Sequence, residues 1–275
     1  MRFGARLHDA MARRGRLCVG IDPHAELLRE WGLDDDVAGL ERFALTVVEA
    51  VAPEVSVVKP QSAFYERFGA RGVAVLERVI AESQAAGAIV LLDVKRGDIG
   101  STSQAYADAY LDPSSPLASD AITVSPYLGF GSIKPMIDTA RRHDAGVFVL
   151  ALTSNKEGPE VQHARTADGG TVAGTMLAHL ARVNADARPL GDVGAVIGAT
   201  IGDSGERFDF NGPVLAPGYG AQGGTVEDIK RIFGATAPYV LPSSSRSVLS
   251  AGPDLVSLRD AARRGNDDVA SLIEA

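Results

Sequence analysis

Short runs rich in valine, isoleucine and leucine recur along the chain, each followed by a loop and then by a stretch whose apolar positions fall three and four apart, the signature of alternating strands and helices. Eight runs predict strands: Leu17 to Asp22, Val55 to Lys59, Ile89 to Lys95, Ala121 to Ser125, Val147 to Leu152, Ala195 to Ala199, Val214 to Ala216 and Tyr239 to Leu241. Between them the spacing predicts helices over Gly39 to Val51, Gly69 to Ala86, Thr102 to Leu111, Ile133 to His143, Thr171 to Asn184 and Val226 to Phe233, with a last one over Leu255 to Arg264. Gly202 to Phe210 offers a sixth crossover no more than a turn or two. Strands so continuously apolar are covered on both faces, which predicts a parallel sheet wrapped by helices. Eight units predict an α/β fold closed into a (β/α)8 TIM barrel, with residues 1–275 forming a single domain. The alternative, an open doubly wound sheet, lacks its hallmark, since no strand runs into a full G-x-G-x-x-G or Walker A sequence and Gly129-Phe-Gly131 is only a fragment of one.

Composition narrows the function. The chain has 275 residues, 45% hydrophobic and 23% charged, with a net charge of -8. That charge argues against a nucleic-acid partner while leaving room for a local basic pocket that takes one small anion. The single cysteine, Cys18, lies in an apolar run and reads as a small buried hydrophobe. Residues 1–16 carry five arginines without a continuous apolar stretch, so no secretory signal is expected. No run approaches the roughly 18 apolar residues of a membrane helix, so a cytoplasmic protein with no membrane partner is expected. The five histidines show no metal-type spacing, and only His24 stands near a strand end. Trp31 is expected to pack rather than stack on a substrate, and Asp34-Asp35-Asp36 to form a solvated loop or helix cap.

In barrels of this kind chemistry gathers at the carboxyl ends of the strands. The groups found there are Asp22, Lys59, Asp93 with Lys95, Ser125, Thr153 with Ser154, Thr200, a glycine-rich segment after Ala216, and Ser243 to Arg246. One polar strand end would mean little; eight together point to a ligand. The segment 216–225 can bring bare backbone N–H groups to an anion because its glycines adopt conformations that other residues resist. Arg246 adds a planar guanidinium fork suited to phosphate. Loops after strands seven and eight are the usual phosphate site of these barrels, so a phosphorylated substrate is expected.

Asp93 and Lys95 alternate at the end of a strongly apolar run and should share a face of an extended strand. Taken alone, Lys95 could simply neutralise Asp93 and Asp98 as a structural ion pair. Lys59 at a neighbouring strand end favours a different reading, in which ammonium groups and carboxylates alternate and hold one another charged. Such an array suits proton donation to a developing carbanion rather than Schiff-base chemistry, which needs a lysine of depressed pKa.

The motif Asp93-x-Lys95-x-x-Asp98-Ile99, preceded by Lys59, resembles the signature of the orotidine 5'-phosphate decarboxylase family, and the similarity runs from Gly20-Ile-Asp22 to Ser243-Ser-Ser-Arg246. Val124-Ser-Pro-Tyr-Leu-Gly129 and Pro217-Gly-Tyr-Gly-Ala-Gln222-Gly-Gly resemble the longer bacterial subfamily. The resemblance implies a cofactor-free barrel, a homodimer with shared active sites, that converts orotidine 5'-monophosphate to uridine 5'-monophosphate (UMP) and carbon dioxide, the last step of de novo UMP synthesis. It implies that Lys95 donates the proton to C6, that Asp93 faces the departing group, and that Lys59 and Asp22 bind ribose hydroxyls. Asp98 would reach the neighbouring subunit's site, with Thr102 beside it on ribose. Gln222, with Gly223 next to it, and Arg246 would hold phosphate. Thr153 or Ser154 would contact the pyrimidine, and Ser125 is a further substrate-binding candidate. No metal is implied. Two rival readings remain at this stage: a metal-dependent sugar-phosphate lyase or synthase of the same barrel group, which carries an acidic residue where this chain has Lys59, and a non-catalytic barrel that binds a phosphate ligand.

Overall fold

The computed structural model describes residues 1–274. Eight parallel strands close on themselves in chain order: β1 (Cys18–Ile21), β2 (Val57–Pro60), β3 (Ile89–Arg96), β4 (Ala121–Val124), β5 (Gly146–Leu152), β6 (Val193–Ile197), β7 (Val214–Pro217) and β8 (Val240–Ser244). Pairing of Cys18 with Ser243 and of Val19 with Ser244 completes the ring. Around it lie α1 (Phe3–Arg14), α2 (Ala25–Glu30), α3 (Val37–Val51), α4 (Ala63–Glu66), α5 (Ala70–Ala85), α6 (Gly100–Leu111), α7 (Lys134–Arg142), α8 (Pro159–Gln162), α9 (Val172–Asn184), α10 (Val226–Phe233), α11 (Arg246–Leu249) and α12 (Leu255–Val269). The expected (β/α)8 barrel is therefore the observed one. No helix of the described residues is long and apolar enough to cross a membrane.

The core has two parts because each strand alternates its side chains between ring interior and helix layer. Outward-facing residues such as Val19, Val58, Val90 and Val147 pack under the helices. Inward-facing Cys18, Val57, Leu91, Phe148 and Leu215 meet Phe3, Leu7, Ala10 and Met11 of α1. This helix plugs the amino-terminal mouth of the barrel, with Phe3 edge-on to Phe148 at 6.2 Å between ring centroids. The plug explains why the opposite mouth is the one open to a ligand.

Several elements differ from the sequence reading. The arginines of residues 1–16 mask the three-and-four spacing of Phe3, Leu7, Ala10 and Met11, and no helix was expected there. β8 runs on to Ser244 through Pro242, which costs the ladder one donor without ending the strand. α12 extends to Val269. The sixth crossover holds no helix; residues 200–213 are tied down by buried Phe208 and Phe210 and by Glu206, which accepts from the Thr171 hydroxyl at the start of α9. Trp31 packs against Phe43 and donates to the Leu249 carbonyl, and Asp36 caps α3 by accepting from Gly39 N–H, both as expected.

Candidate active site

Gly20 on β1 pairs with Lys59 on β2, and the end of β2 is bound to β3 by a bridge between Gln61 and Asp93 and by Ser62 N–H donating to the Asp93 carbonyl. These registers bring Asp22, Lys59 and Asp93 to one level of the open mouth. The buried Tyr65 hydroxyl donates to the Ile21 carbonyl and fixes the turn that leads into Asp22. A Cβ on Gly20 would stand 2.6 Å from an Asp22 carboxylate oxygen, so only glycine lets that side chain fold back over the strand.

The charges alternate as expected. Lys59 Nζ lies 3.8 Å from Asp22 Oδ1 and 3.6 Å from Asp93 Oδ2, and Lys95 Nζ donates to the same Asp93 oxygen at 2.6 Å. Burial alone would lower the pKa of Lys59, but the two carboxylates outweigh it and raise it above the ordinary lysine value. Burial likewise pushes Asp93 up, while Lys59, Lys95 and two hydrogen bonds hold its carboxyl below the usual range. Burial drives the Cys18 thiol, inside the barrel beneath this array, up to about 12, so it is no nucleophile at neutral pH. Asp22 Oδ1 is buried and has no hydrogen-bond partner among the described residues, and the same holds for Ser245 Oγ at the end of the adjacent β8. Buried polar atoms are normally satisfied; both residues line the cavity described next.

The array floors a cavity of about 750 Å³, within the range of small-molecule sites. Its walls include Thr153, Ser154, Gln222 and Arg246. Positive φ at Gly218 and Gly220 turns the backbone of the glycine-rich loop over this opening. Arg246, at the end of β8, forms no ion pair among the described residues, which leaves its guanidinium for a ligand anion. Thr153 is held through both ends of the Gln162 amide, since its N–H donates to Oε1 at 2.9 Å and Gln162 Nε2 donates to its hydroxyl at 2.7 Å. Gln162 also lines the cavity and carried no signal in the sequence beyond its place in the loop after β5. His24 lines it too, its ring edge-on to Phe64, and burial lowers its pKa.

Four residues that the family resemblance assigned to the site lie outside this cavity. Asp98 accepts from the Ile99 N–H, and Thr102 is exposed on α6. Ser125 donates its backbone N–H to the Arg96 carbonyl. Gly223 borders a neighbouring groove beside α12. Behind the cavity lining is a buried residue that the sequence reading also did not single out: Thr123, whose hydroxyl donates to Asp93 Oδ1 at 2.7 Å. Its only sequence signal was a polar residue in the middle of an apolar strand.

Comparison with known proteins agrees with this geometry. The family model described as orotidine 5'-phosphate decarboxylase / HUMPS family matches residues 15–261. A Nocardioides sp. protein named orotidine 5'-phosphate decarboxylase is 73% identical over 273 residues, covering 98% of this chain and 99% of its own. A Streptomyces coelicolor protein of the same name is 62% identical, covering 99% of each. Among solved structures, a Streptomyces avermitilis protein superposes with a TM-score of 0.98 at 61% identity, over 100% of this chain and 96% of that one. Leishmania donovani OMP decarboxylase superposes with a TM-score of 0.75 at 29% identity over the full length of both. The strand ends, the motif and the matches over nearly the whole length lead to one conclusion: this chain belongs to the orotidine 5'-phosphate decarboxylase / HUMPS family.

Proposed function

We propose that residues 1–275 act as a single barrel domain that converts orotidine 5'-monophosphate to UMP and carbon dioxide, the last step of de novo UMP synthesis, in the cytoplasm and without a cofactor. The observation that carries this reading is the chain of contacts from Asp22 through Lys59 and Asp93 to Lys95 on the cavity floor. When the C6–carboxylate bond breaks, its electron pair stays on C6 and carbon dioxide leaves. A proton from the Lys95 ammonium then completes UMP. An sp² carbanion at C6 gains little from the ring, so a cation already oriented beside it supplies stabilisation without reorganisation at the moment of reaction. Asp93 faces the departing carboxylate while anchoring Lys95; Lys59 and Asp22 bind ribose hydroxyls; Thr153 or Ser154 reads the pyrimidine, with Ser125 a further candidate. Arg246, Gln222 and the backbone around Gly223 take the phosphate, so that affinity far from the reacting bond holds the array in place.

Asp98 and Thr102 act in this proposal on the neighbouring site of a homodimer. Support comes from the surface around them: Ile99, Tyr127 and Leu128 are 61%, 77% and 54% exposed, and the backbone contact from Ser125 to Arg96 puts the two loops side by side. An apolar patch of this kind on a soluble barrel marks a protein contact.

The Lys59 ammonium between two carboxylates weighs against a metal-dependent sugar-phosphate synthase, because it brings a fixed positive charge to the place where that rival has an acidic residue. The test follows the fall in orotidine 5'-monophosphate absorbance with wild type and Lys95→Ala. Consumption by wild type, undiminished by chelator and reduced at least about a thousandfold in the variant, is expected. Full turnover in Lys95→Ala would remove the assigned acid, chelator-sensitive turnover would favour the synthase reading, and tight nucleotide binding without product would favour a non-catalytic barrel.

A further inference from the structure

Thr123 occupies a peculiar place in the sheet. Along the β3–β4 pairing, Leu92 matches Ile122 and Arg96 matches Val124, so Asp93, Val94 and Lys95 all stand against the single residue Thr123. β3 therefore bulges at the site, a distortion that re-aims side chains at the cost of ladder hydrogen bonds. Lys95 sits in the bulge with φ +46, a backbone conformation that non-glycine residues seldom adopt and that the surroundings must enforce. The Lys95 N–H, which has lost its ladder partner, donates at 2.9 Å to the Thr123 hydroxyl oxygen, and the same hydroxyl donates its proton to Asp93 Oδ1 at 2.7 Å. The hydroxyl thus stands where a backbone carbonyl would stand in a regular ladder. It is 1% exposed, so water offers no substitute.

We infer that Thr123 is a positioning residue: its one hydroxyl locks both the strained backbone of Lys95 and the rotamer of the Asp93 carboxylate, and so aims the Lys95 ammonium. With Oδ1 held by Thr123, the other oxygen, Oδ2, is left to face both Lys95 and Lys59. Neither valine nor alanine could do this, since the duty needs a donor and an acceptor on one atom. Thr123 touches the reacting atoms only through its partners. This deepens the decarboxylase reading above and rests on it for the effect on turnover, while the geometric part stands on Asp93 itself.

The test compares wild type, Thr123→Val, which keeps the shape and deletes the hydroxyl, and Thr123→Ser, which restores it. Losing a hydrogen bond to a buried charged group should reduce kcat by about 10- to 100-fold in Thr123→Val, with KM changed by less than about threefold, and serine should recover most of the loss. A second readout needs no turnover: titration of the Asp93 carboxyl by ¹³C NMR in the free protein, assigned with Asp93→Asn. The groups facing that carboxyl are Asp22 and Cys18 of β1 or its end, Lys59 of β2 and Lys95 of β3, and all are unchanged in the variants. The Asp93 titration should move upward in Thr123→Val and return in Thr123→Ser. Equal kcat and an unmoved titration in Thr123→Val would overturn the inference, as would equal losses in the valine and serine variants. Should Thr123→Val fail to fold, wild-type kcat and an unmoved titration in Thr123→Ser would support it and a loss there would overturn it. If wild type did not consume orotidine 5'-monophosphate, the function would fall while the NMR comparison still decided the role of Thr123.

Discussion

Lys59 shows how one side chain can hold a site together. Its ammonium is buried, and two carboxylates compensate the desolvation that would otherwise expel its proton. Replacing it by alanine leaves Asp22 and Asp93 facing each other without a cation between them. Removing one partner of a buried pair typically costs about 3–5 kcal/mol, so Lys59→Ala should melt well below wild type at neutral pH. The pH dependence has a definite sign. In wild type, the depressed pKa of Asp93 contributes stability that is present above the ordinary carboxylate value of about 4 and is lost as pH falls through its folded value. The raised pKa of Lys59 contributes stability that is complete below about 10.4 and is lost as pH rises through its folded value. Without Lys59, burial acts on the Asp93 carboxyl with one cation fewer to oppose it, so the deficit of the variant should shrink as pH drops toward 4 and that carboxyl protonates. Melting curves from pH 4 to 8 check this; a deficit independent of pH would refute the electrostatic account.

At the scale of elements, α1 is the floor on which the barrel interior rests. A Cβ on Gly146 would fall 2.3 Å from the Phe3 ring, so Gly146→Ala must push that ring out of its edge-on contact with Phe148. Overpacking of this kind costs about 1–3 kcal/mol. The expected outcome is a lower melting temperature with nearly unchanged kcat, because the strain lies at the end of the barrel away from the array. Thermal melting and turnover measured on one preparation check both halves; a loss of kcat at full stability would contradict the separation of floor from mouth. The same helix shows where local pattern reading is weak. Its four buried side chains keep helical spacing, yet the arginines between them hide it, and only the presence of an open barrel end gives those apolar positions something to cover.

For the molecule as a whole, the proposed dimer has a sharp consequence. If Asp98 completes the neighbouring site, each site draws Lys95 from one chain and Asp98 from the other. Unfolding and refolding an equal mixture of inactive Lys95→Ala and Asp98→Ala chains should then restore about a quarter of wild-type activity, because half of the dimers are mixed and each of those carries one intact site. Sedimentation of Tyr127→Arg should show dissociation toward monomer and a parallel loss of turnover. Failure of the mixture to recover activity, with dimers present, would confine each site to one chain.

The repeating apolar runs determined the barrel from sequence alone, since a strand buried on both faces has few neighbours to choose from and eight of them close most readily on themselves. Strand ends in turn located Asp22, Lys59, Asp93, Lys95 and Arg246, because chain direction in such a barrel carries every strand end to one mouth. Only the tertiary structure decided how Asp93 and Lys95 meet. Simple alternation predicted a shared face, but the contact runs through a bulge whose three residues oppose Thr123, and a register shift of that kind depends on the partner strand rather than on the local pattern. Tertiary packing likewise decided that α1 is a plug, that the sixth crossover has no helix, and that Asp98, Thr102 and Ser125 lie outside the cavity of their own chain. Burial, register and contact between distant segments are sums over the whole fold, and no window of sequence contains them.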